Sequence, residues 1–483
     1  MILAFFRLLR FKWLYSKWRD NVFQVVCGMV FLWSVWCLCA DIGGSSGVVV
    51  LPGLLLSVIG LLKDVWGFVL QFQSKYDMFR YADRPDKNNL IKRWKEIQVD
   101  KTGFEIHPLL REEGSNGFDF VSYSKILNQR LTNNLEIKFE VARFRNTNCW
   151  KEINSCLSDI ALPALALKLR DKGFNDFTND RKVAIVSSLA EQLAKISGSQ
   201  TPINNITIRI AESCYYATYL TNDSYCDCFY DPANIADRKF LREEWTPDGG
   251  NHGQLMDFDA PKSYHIGVNT LGITRDGRIC TWTQKVGAWS VGYLSPTGSG
   301  SMDWSDVLHS KDKLLNTAII YGAERELREE SFDASTKEKF SKCGNPLESR
   351  IIGMYRWGTR GGLPGFVLVT LIPLNLGDIC LPKTRCRGRK GECQKDSTKI
   401  MDIAPGLLMC EGRDIADSGI SEWRKKCVDV VNKYRDDHRD ELSVPLDVSL
   451  TFLIDALCAD TSLDNNGSFV KWVYTFLDPK GEL

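Results

Sequence analysis

Apolar residues dominate the first part of the chain, whereas the remainder mixes apolar and polar positions at helix or strand spacing. Val22 to Ala40 contains no charged residue and approaches the roughly 20 residues that a helix needs to cross the hydrocarbon core of a bilayer. A short polar bridge follows, and Val48 to Leu62 is apolar again. The pattern predicts a two-helix transmembrane hairpin within residues 21–72.

Basic residues flank the two predicted spans, and the polar bridge between the spans carries none. Because positively charged flanks remain in the cytoplasm, we expect both chain ends on that side, with residues 1–20 as a basic and aromatic N-terminal segment. The flanking residues are Arg7, Arg10, Lys12, Lys17 and Arg19 before the first span, and Lys63, Lys75, Arg80 and Arg84 after the second. A cleaved signal peptide or a buried helical hairpin is the alternative, but the long first span and the lack of a polar stripe disfavour them.

The rest of the chain divides into two regions by its pattern. Residues 90–200 give mixed signals and are interpreted as an α/β coupling region, with a strand in Leu135 to Phe144 and helical spacing in Ala164 to Lys172 and Lys182 to Ile196. Residues 204–477 contain several strands around one motif-bearing helix, which predicts an α/β fold. The predicted strands are Tyr264 to Asn269 and Gly272 to Trp282, joined near Thr270 with a turn at Asp276-Gly277, and Ser349 to Trp357 and Gly365 to Pro373.

One predicted helix carries the residues best suited to chemistry. Leu315, Ile319, Ala323 and Leu327 recur every four residues and form a buried stripe. Glu326, Glu329 and Glu330 share another face, about one turn apart. Clustered carboxylates repel one another unless a cation lies between them, and an oxygen-rich set suits Mg²⁺ or Mn²⁺, which in turn bind phosphates. A surface helix with ion pairs, such as Arg325 with Glu329, is the competing interpretation.

Composition limits the classes of ligand and cofactor that the chain is expected to bind. The net charge is +1, which argues against a protein that binds bulk nucleic acid. The 16 cysteines lack Cys-x-x-Cys spacing, so reduced thiols are favoured over a disulfide scaffold or a zinc site. This interpretation extends to the group that flanks a basic stretch: Cys380, Cys386, Cys393 and Cys410.

The run Arg-Glu-Leu-Arg-Glu-Glu at residues 325–330 matches the core of the Nudix box, and residues 204–477 resemble Nudix proteins in the order of their elements. The resemblance implies a Nudix-like α/β/α sandwich, with metal held by Glu326, Glu329 and Glu330 and with Arg325 in a supporting role. The box departs from the family pattern, because this chain has Thr317 where the pattern places its first glutamate and Phe332 where it places its closing glycine. An insertion between the Gly298/Gly300 loop and the helix would make Asp303 or Asp306 the substitute for that glutamate.

A Nudix-like domain behind two membrane helices resembles the two-transmembrane Nudix-type effectors of cyclic-oligonucleotide antiphage signalling in bacteria. The resemblance implies an inner-membrane protein that binds a cyclic nucleotide, assembles into homo-oligomers and disrupts the bilayer. A membrane-tethered, Mg²⁺-dependent hydrolase of nucleoside diphosphate derivatives and a catalytically inert scaffold are the alternatives. Candidate nucleotide contacts are Arg275, Arg356 and Arg360 for phosphates and Trp282, Trp289, Tyr355 and Trp357 for bases.

Overall fold

The chain adopts a mixed α/β fold, in which sheets carry helices on both faces. The computed structural model describes residues 80–81, 105–109, 119–144, 147, 150–151, 153, 164–165, 167–168, 179–186, 204–223, 228–231, 234–240, 263–284, 292–379, 398–403, 417–459 and 469–477. The predicted membrane hairpin, Trp289 and most of the cysteine-rich stretch 380–410 lie outside these ranges. Within them, no helix combines the length and the apolar character needed to cross a bilayer.

The strands, in chain order, are β1 (Arg80–Tyr81), β2 (Glu105–Leu109), β3 (Asp119–Tyr123), β4 (Glu136–Ala142), β5 (Arg181–Ile185), β6 (Asn205–Cys214), β7 (Cys228–Asp231), β8 (Asn234–Phe240), β9 (Gly267–Thr274), β10 (Arg278–Thr283), β11 (Leu294–Ser295), β12 (Gly298–Ser301), β13 (Glu348–Trp357), β14 (Leu363–Ile372) and β15 (Thr398–Asp402). The helices are α1 (Lys125–Thr132), α2 (Tyr215–Thr218), α3 (Trp304–His309), α4 (Leu315–Ser331), α5 (Ala334–Cys343), α6 (Asp417–Asp437), α7 (Val444–Cys458) and α8 (Phe469–Leu477). A π-helix at Tyr219–Asp223 extends α2.

The largest sheet has the order β11-β10-β9-β14-β13-β3-β2, with β12 paired to β9 and β15 paired to β10. Its centre is the parallel pair β9 and β14, in register from Gly267 with Gly365 to Thr274 with Ile372. Every residue of β14 is buried. Because both faces of this strand are covered, its sequence is nearly continuous in apolar residues rather than alternating.

The two faces of the sheet contribute to different hydrophobic cores. On one face, Val268, Phe366 and Leu368 pack with helix α4 and with a smaller sheet of order β4-β6-β5. On the other face, residues such as Ile273 and Val367 pack against α6, α7 and α8. Strands from both sides of residue 204 therefore share one body, because β4 and β5 pair with β6, and β2 and β3 extend the main sheet.

Two local predictions were wrong. Residues 181–185 form strand β5 instead of the start of a helix, because Val183 and Ile185 are both buried in the core that the small sheet shares with α4. Strand β9 also continues through Thr270, where a join was expected. The Thr270 hydroxyl lies 2.9 Å from that of Thr370 on the neighbouring strand, so a polar residue is satisfied within the sheet. The turn at Asp276-Gly277, strand β4 and the hairpin strands β13 and β14 are confirmed.

The shortest sheet links the start of the described chain to the π-helix. Strand β1 pairs with β7, with Arg80 opposite Tyr230 and Tyr81 opposite Phe229. Strand β7 begins a few residues after the π-helix and also pairs with β8. The segment that follows the predicted membrane hairpin is thus attached to the chain that leaves strand β6.

Candidate functional site

Helix α4 packs its apolar stripe against the sheet and turns its acidic residues toward strand β12. The predicted stripe is confirmed, since Leu315, Ile319, Ala323 and Leu327 are each no more than 1% exposed. The same turns of helix carry the carboxylates of the motif, which therefore lie at the edge of the core. Burial of the apolar stripe fixes the position of the helix, and strand β12 lies opposite its acidic residues.

Strand β12 can approach the helix so closely because two of its residues are glycines. A Cβ atom on Gly298 would lie 2.8 Å from the Cα of Leu327, and one on Gly300 would lie 2.2 Å from the Cδ of Glu326. Both separations are shorter than any real Cβ contact, so side chains at these positions would push the helix or the carboxylate away. The Gly-Ser-Gly sequence thus seats Glu326 against the strand.

The backbone between these glycines contacts a second carboxylate. The N–H of Ser299 donates a hydrogen bond of 2.7 Å to Oε2 of Glu330. Glu329 projects outward, with 51% of its side chain exposed. Two of the three motif glutamates are therefore fixed against β12, while the third faces solvent beside them.

Arg325 holds the carboxylate cluster (Glu326, Glu329, Glu330 and the neighbouring Asp303 and Asp306) in place through hydrogen bonds and ion pairs. Its guanidinium donates two hydrogen bonds to Asp306, at 3.0 and 3.1 Å, one of 3.0 Å to Glu326 and one of 3.2 Å to the carbonyl of Ser301. Asp306 is completely buried and also accepts the backbone N–H of Asp303 at the start of α3. A bidentate pair of this kind fixes the arginine in orientation as well as in position.

Lys182 reaches the cluster from strand β5 and was not predicted. Its Nζ lies 2.6 Å from Oδ1 of Asp303, and only 11% of its side chain is exposed. Asp303 also lies 3.5 Å from Arg325. No motif surrounds Lys182 in the sequence. Its burial follows from the pairing of strand β5 with β6, which the sequence pattern did not predict.

Burial and mutual repulsion make Glu326 and Glu330 harder to ionise. Burial raises the pKa of Glu326 to about 7, although Arg325 and Lys182 oppose the rise and Glu329 adds to it. The pKa of Glu330 is raised too, first by burial of its carboxylate and then by repulsion from Glu326 and Glu329. The hydrogen bond from Ser299 opposes this rise. Because more than a third of Glu330 is exposed, solvent weakens this second shift.

The chemistry of these side chains fits Mg²⁺ or Mn²⁺. Both cations prefer carboxylate and carbonyl oxygens, and a nearby cation would favour the ionised carboxylates against the burial and repulsion that raise the pKa of Glu326 and Glu330. In the part of the chain that is described, no group of three His, Cys, Asp or Glu side chains already converges on one point. Binding of a cation at Glu326, Glu329 and Glu330 therefore requires their side chains to turn toward one another.

The arginines predicted to meet phosphates lie elsewhere in the fold. Arg275 donates a 2.6 Å hydrogen bond to the carbonyl of Phe476 and lies over that residue's ring, at the end of α8. Arg360 forms an ion pair of 2.7 Å with the buried Asp223 of the π-helix. Arg356 is fully buried within the sheet. Arg275 and Arg360 are thus paired within the fold, and Arg356 is buried, so a role of these arginines in nucleotide binding stays a prediction.

Of the aromatic candidates that the structure describes, Trp282 is the one that it brings to strand β12, the strand with Gly298 and Gly300. Its Nε1 donates a 2.9 Å hydrogen bond to the carbonyl of Thr297, directly before β12. Tyr355 and Trp357 are core residues, 2% and 5% exposed. The sequence offered no sign of Gln284, whose Nε2 lies 3.3 Å from the Ser299 hydroxyl.

Comparison with known proteins gives no functional assignment, so the function is inferred from the geometry of this site. Neither the known protein families nor the curated protein sequences give a match to this chain.

Proposed function

We propose that this chain is a membrane effector of bacterial antiphage defence. Its Nudix-like domain binds a cyclic nucleotide through a divalent cation, the chains assemble into homo-oligomers, and the N-terminal hairpin then disrupts the inner membrane. The hairpin and its orientation are supported by the apolar and basic patterns of residues 1–84. The nucleotide site is supported by the carboxylate cluster on helix α4.

The observation that carries the proposal is the seating of Glu326 and Glu330 against a glycine strand. Gly300 leaves room for the Glu326 carboxylate, and Ser299 holds that of Glu330. Acidic residues on an ordinary surface helix project into solvent and are not packed against backbone. A bound Mg²⁺ would supply positive charge that attracts phosphate oxygens, and the chain itself supplies the anionic ligands and their brace, Arg325.

The order of elements around this helix also supports a Nudix-like α/β/α arrangement. Helix α4 covers one face of the sheet, and α7 and its neighbours cover the other. The hairpin of β13 and β14 follows the motif helix in sequence, and β14 returns parallel to β9 beside it. Fold likeness of this kind raises the prior for a nucleotide ligand without naming the reaction.

A membrane-tethered, Mg²⁺-dependent hydrolase is the second candidate, and the pKa of Glu326 favours it. A carboxylate whose pKa is about 7 suits a general base at neutral pH. In this alternative the chain would orient a water molecule near Glu326 and cleave a nucleoside diphosphate derivative. The two membrane helices would then serve only as an anchor.

Membrane leakage and nucleotide turnover, measured on the same preparation, distinguish the two candidates. The full chain is reconstituted into dye-loaded liposomes with Mg²⁺ and exposed to cyclic dinucleotides that contain adenine, guanine or uracil. An effector releases dye with its messenger, and a variant that lacks residues 22–62 retains binding but releases none. A tethered hydrolase instead turns over a nucleoside diphosphate derivative while the liposomes remain sealed. Turnover without leakage would contradict the effector proposal.

A further inference from the structure

The exposed end of strand β10 lies on the same face of the sheet as the carboxylate cluster. Side chains alternate along this strand, and Ile279 and Thr281 point toward the core of α6, where the Thr281 hydroxyl lies 2.6 Å from that of Tyr434. Trp282 and the following Gln284 point the other way, toward strand β12. Both remain partly exposed.

Hydrogen bonds hold these two side chains beside the glycine strand. The indole N–H of Trp282 is donated to the carbonyl of Thr297, and the Gln284 amide contacts the hydroxyl of Ser299. The backbone of Gln284 is fixed as well, because its N–H donates to Tyr293 and its carbonyl accepts from Gly292, each at 2.8 Å. An aromatic ring and an amide are therefore presented together on a rigid strand.

The indole and the carboxylates contact neighbouring positions of one strand. Thr297 accepts the indole N–H, and Ser299, two residues further on, donates its N–H to Glu330. At the rise of an extended strand these two backbone positions are roughly 7 Å apart, so one nucleotide is long enough to contact both. Aromatic rings bind nucleobases by stacking, and an amide has both a donor and an acceptor for the edge of a base.

We propose that Trp282 and Gln284 form the base-recognition subsite of the carboxylate site. The indole stacks on a nucleobase, the Gln284 amide hydrogen-bonds to the edge of that base, and the phosphates lie toward Glu326 and Glu330. This inference rests on the proposed function, since it requires the cation site to hold the phosphates. It assigns base preference to residues outside the helix motif.

The test compares nucleotides with their phosphates alone. Full-length protein in detergent is titrated calorimetrically, with Mn²⁺ present, with ADP, GDP, CDP, UDP and inorganic pyrophosphate. At least one nucleoside diphosphate is expected to bind tenfold or more tightly than pyrophosphate. Trp282→Ala removes about fivefold or more of this advantage. Trp282→Phe loses the hydrogen bond to Thr297 but keeps an aromatic face, and retains most of the advantage.

Gln284→Met, which keeps length and removes hydrogen bonding, changes the order of preference among the four nucleotides and leaves pyrophosphate affinity unchanged. Trp472→Ala is the matched control. This indole lies on helix α8, is hydrogen-bonded to Glu348 at 3.1 Å and is covered by the Arg350 guanidinium from strand β13. It is expected to leave every affinity unchanged.

Equal affinities for pyrophosphate and all four nucleotides would overturn the base subsite and leave the cation site standing. An unchanged nucleotide advantage in Trp282→Ala would do the same. Failure of pyrophosphate and of all four nucleotides to bind with Mn²⁺ would overturn the cation site, and with it both the proposed nucleotide binding and this inference.

Discussion

Lys182 and Asp303 form a 2.6 Å ion pair although 121 residues separate them in the chain. The pair joins strand β5 of the small sheet to the start of helix α3, beside the carboxylate cluster. Through β6 and the π-helix, the small sheet continues to β7, which pairs with Arg80–Tyr81. The candidate site and the segment next to the predicted membrane hairpin therefore belong to one connected structure.

Removal of this lysine should destabilise the protein and the site. Lys182→Met leaves the partly buried Asp303 with Arg325 as its remaining cation, at 3.5 Å, and we expect a loss of roughly 1–3 kcal/mol in the free energy of unfolding. Thermal unfolding of the full chain in detergent measures this. Lys342→Met is the control, because its pair with Glu338 is exposed on both sides and should change stability by less than about 0.5 kcal/mol.

The brace at Arg325 should require an arginine. Arg325→Lys keeps the positive charge but loses the paired hydrogen bonds to the buried Asp306, so we expect a loss on the order of 1–3 kcal/mol in the free energy of unfolding. The half-exposed Arg328 pairs with Glu324 by one contact of 3.3 Å, and Arg328→Lys should have little effect. Similar unfolding temperatures for the two variants would show that the bidentate geometry is unimportant.

Glycine at position 300 should be required for the position of the Glu326 carboxylate as well as for the strand. In Gly300→Ala the new methyl group would overlap Glu326, 2.2 Å from its Cδ, so the carboxylate must move and Mn²⁺ affinity should fall tenfold or more. Gly377→Ala is the matched control, since a methyl group added there would meet no other atom within 4 Å. Isothermal titration with Mn²⁺ compares the two, and equal affinities would contradict the seating of Glu326.

Without divalent cations, stability should depend on pH because of Glu326. Its pKa rises from 4.5 to about 7 on folding, so the folded state binds the extra proton between these values. The stabilising contribution of this group is therefore complete below pH 4.5 and is lost as pH rises to 7, on the order of 3 kcal/mol. Unfolding temperatures in a chelator from pH 5 to 8 measure the fall. Glu326→Gln should flatten the curve, and an identical slope in that variant would exclude Glu326 as its cause.

The sequence predicted the long strands and the helix with a clear repeat. Strands β13 and β14 are ten residues each, β14 is apolar almost throughout, and the stripe of α4 follows a four-residue repeat over several turns. Strand β5 is short and fully buried in its last four positions, so its apolar residues do not alternate and fit a helix as well as a strand. Pairing with β6, and not local preference, decides its conformation.

The site was predictable only in its local part. Glu326, Glu329, Glu330 and Arg325 lie within one helix, so their proximity follows from helix geometry. Arg360, in contrast, is paired with Asp223, 137 residues away, by packing of a hairpin turn against the π-helix. Contacts of that range, like that of Lys182 with Asp303, leave no periodic trace in the sequence. An arginine that looks available for phosphate can then be paired with a buried carboxylate instead.

The central claim, that the carboxylates of helix α4 hold a divalent cation, is tested most directly by Mn²⁺ binding to the full chain at pH 8, measured by electron paramagnetic resonance. At this pH Glu326 is ionised, because its pKa is about 7. We expect bound Mn²⁺ in the wild type and at least a tenfold loss of affinity in Glu326→Gln/Glu330→Gln, a variant that remains folded. Unchanged Mn²⁺ affinity in the folded double variant would contradict the claim and show that α4 is only an ion-paired surface helix.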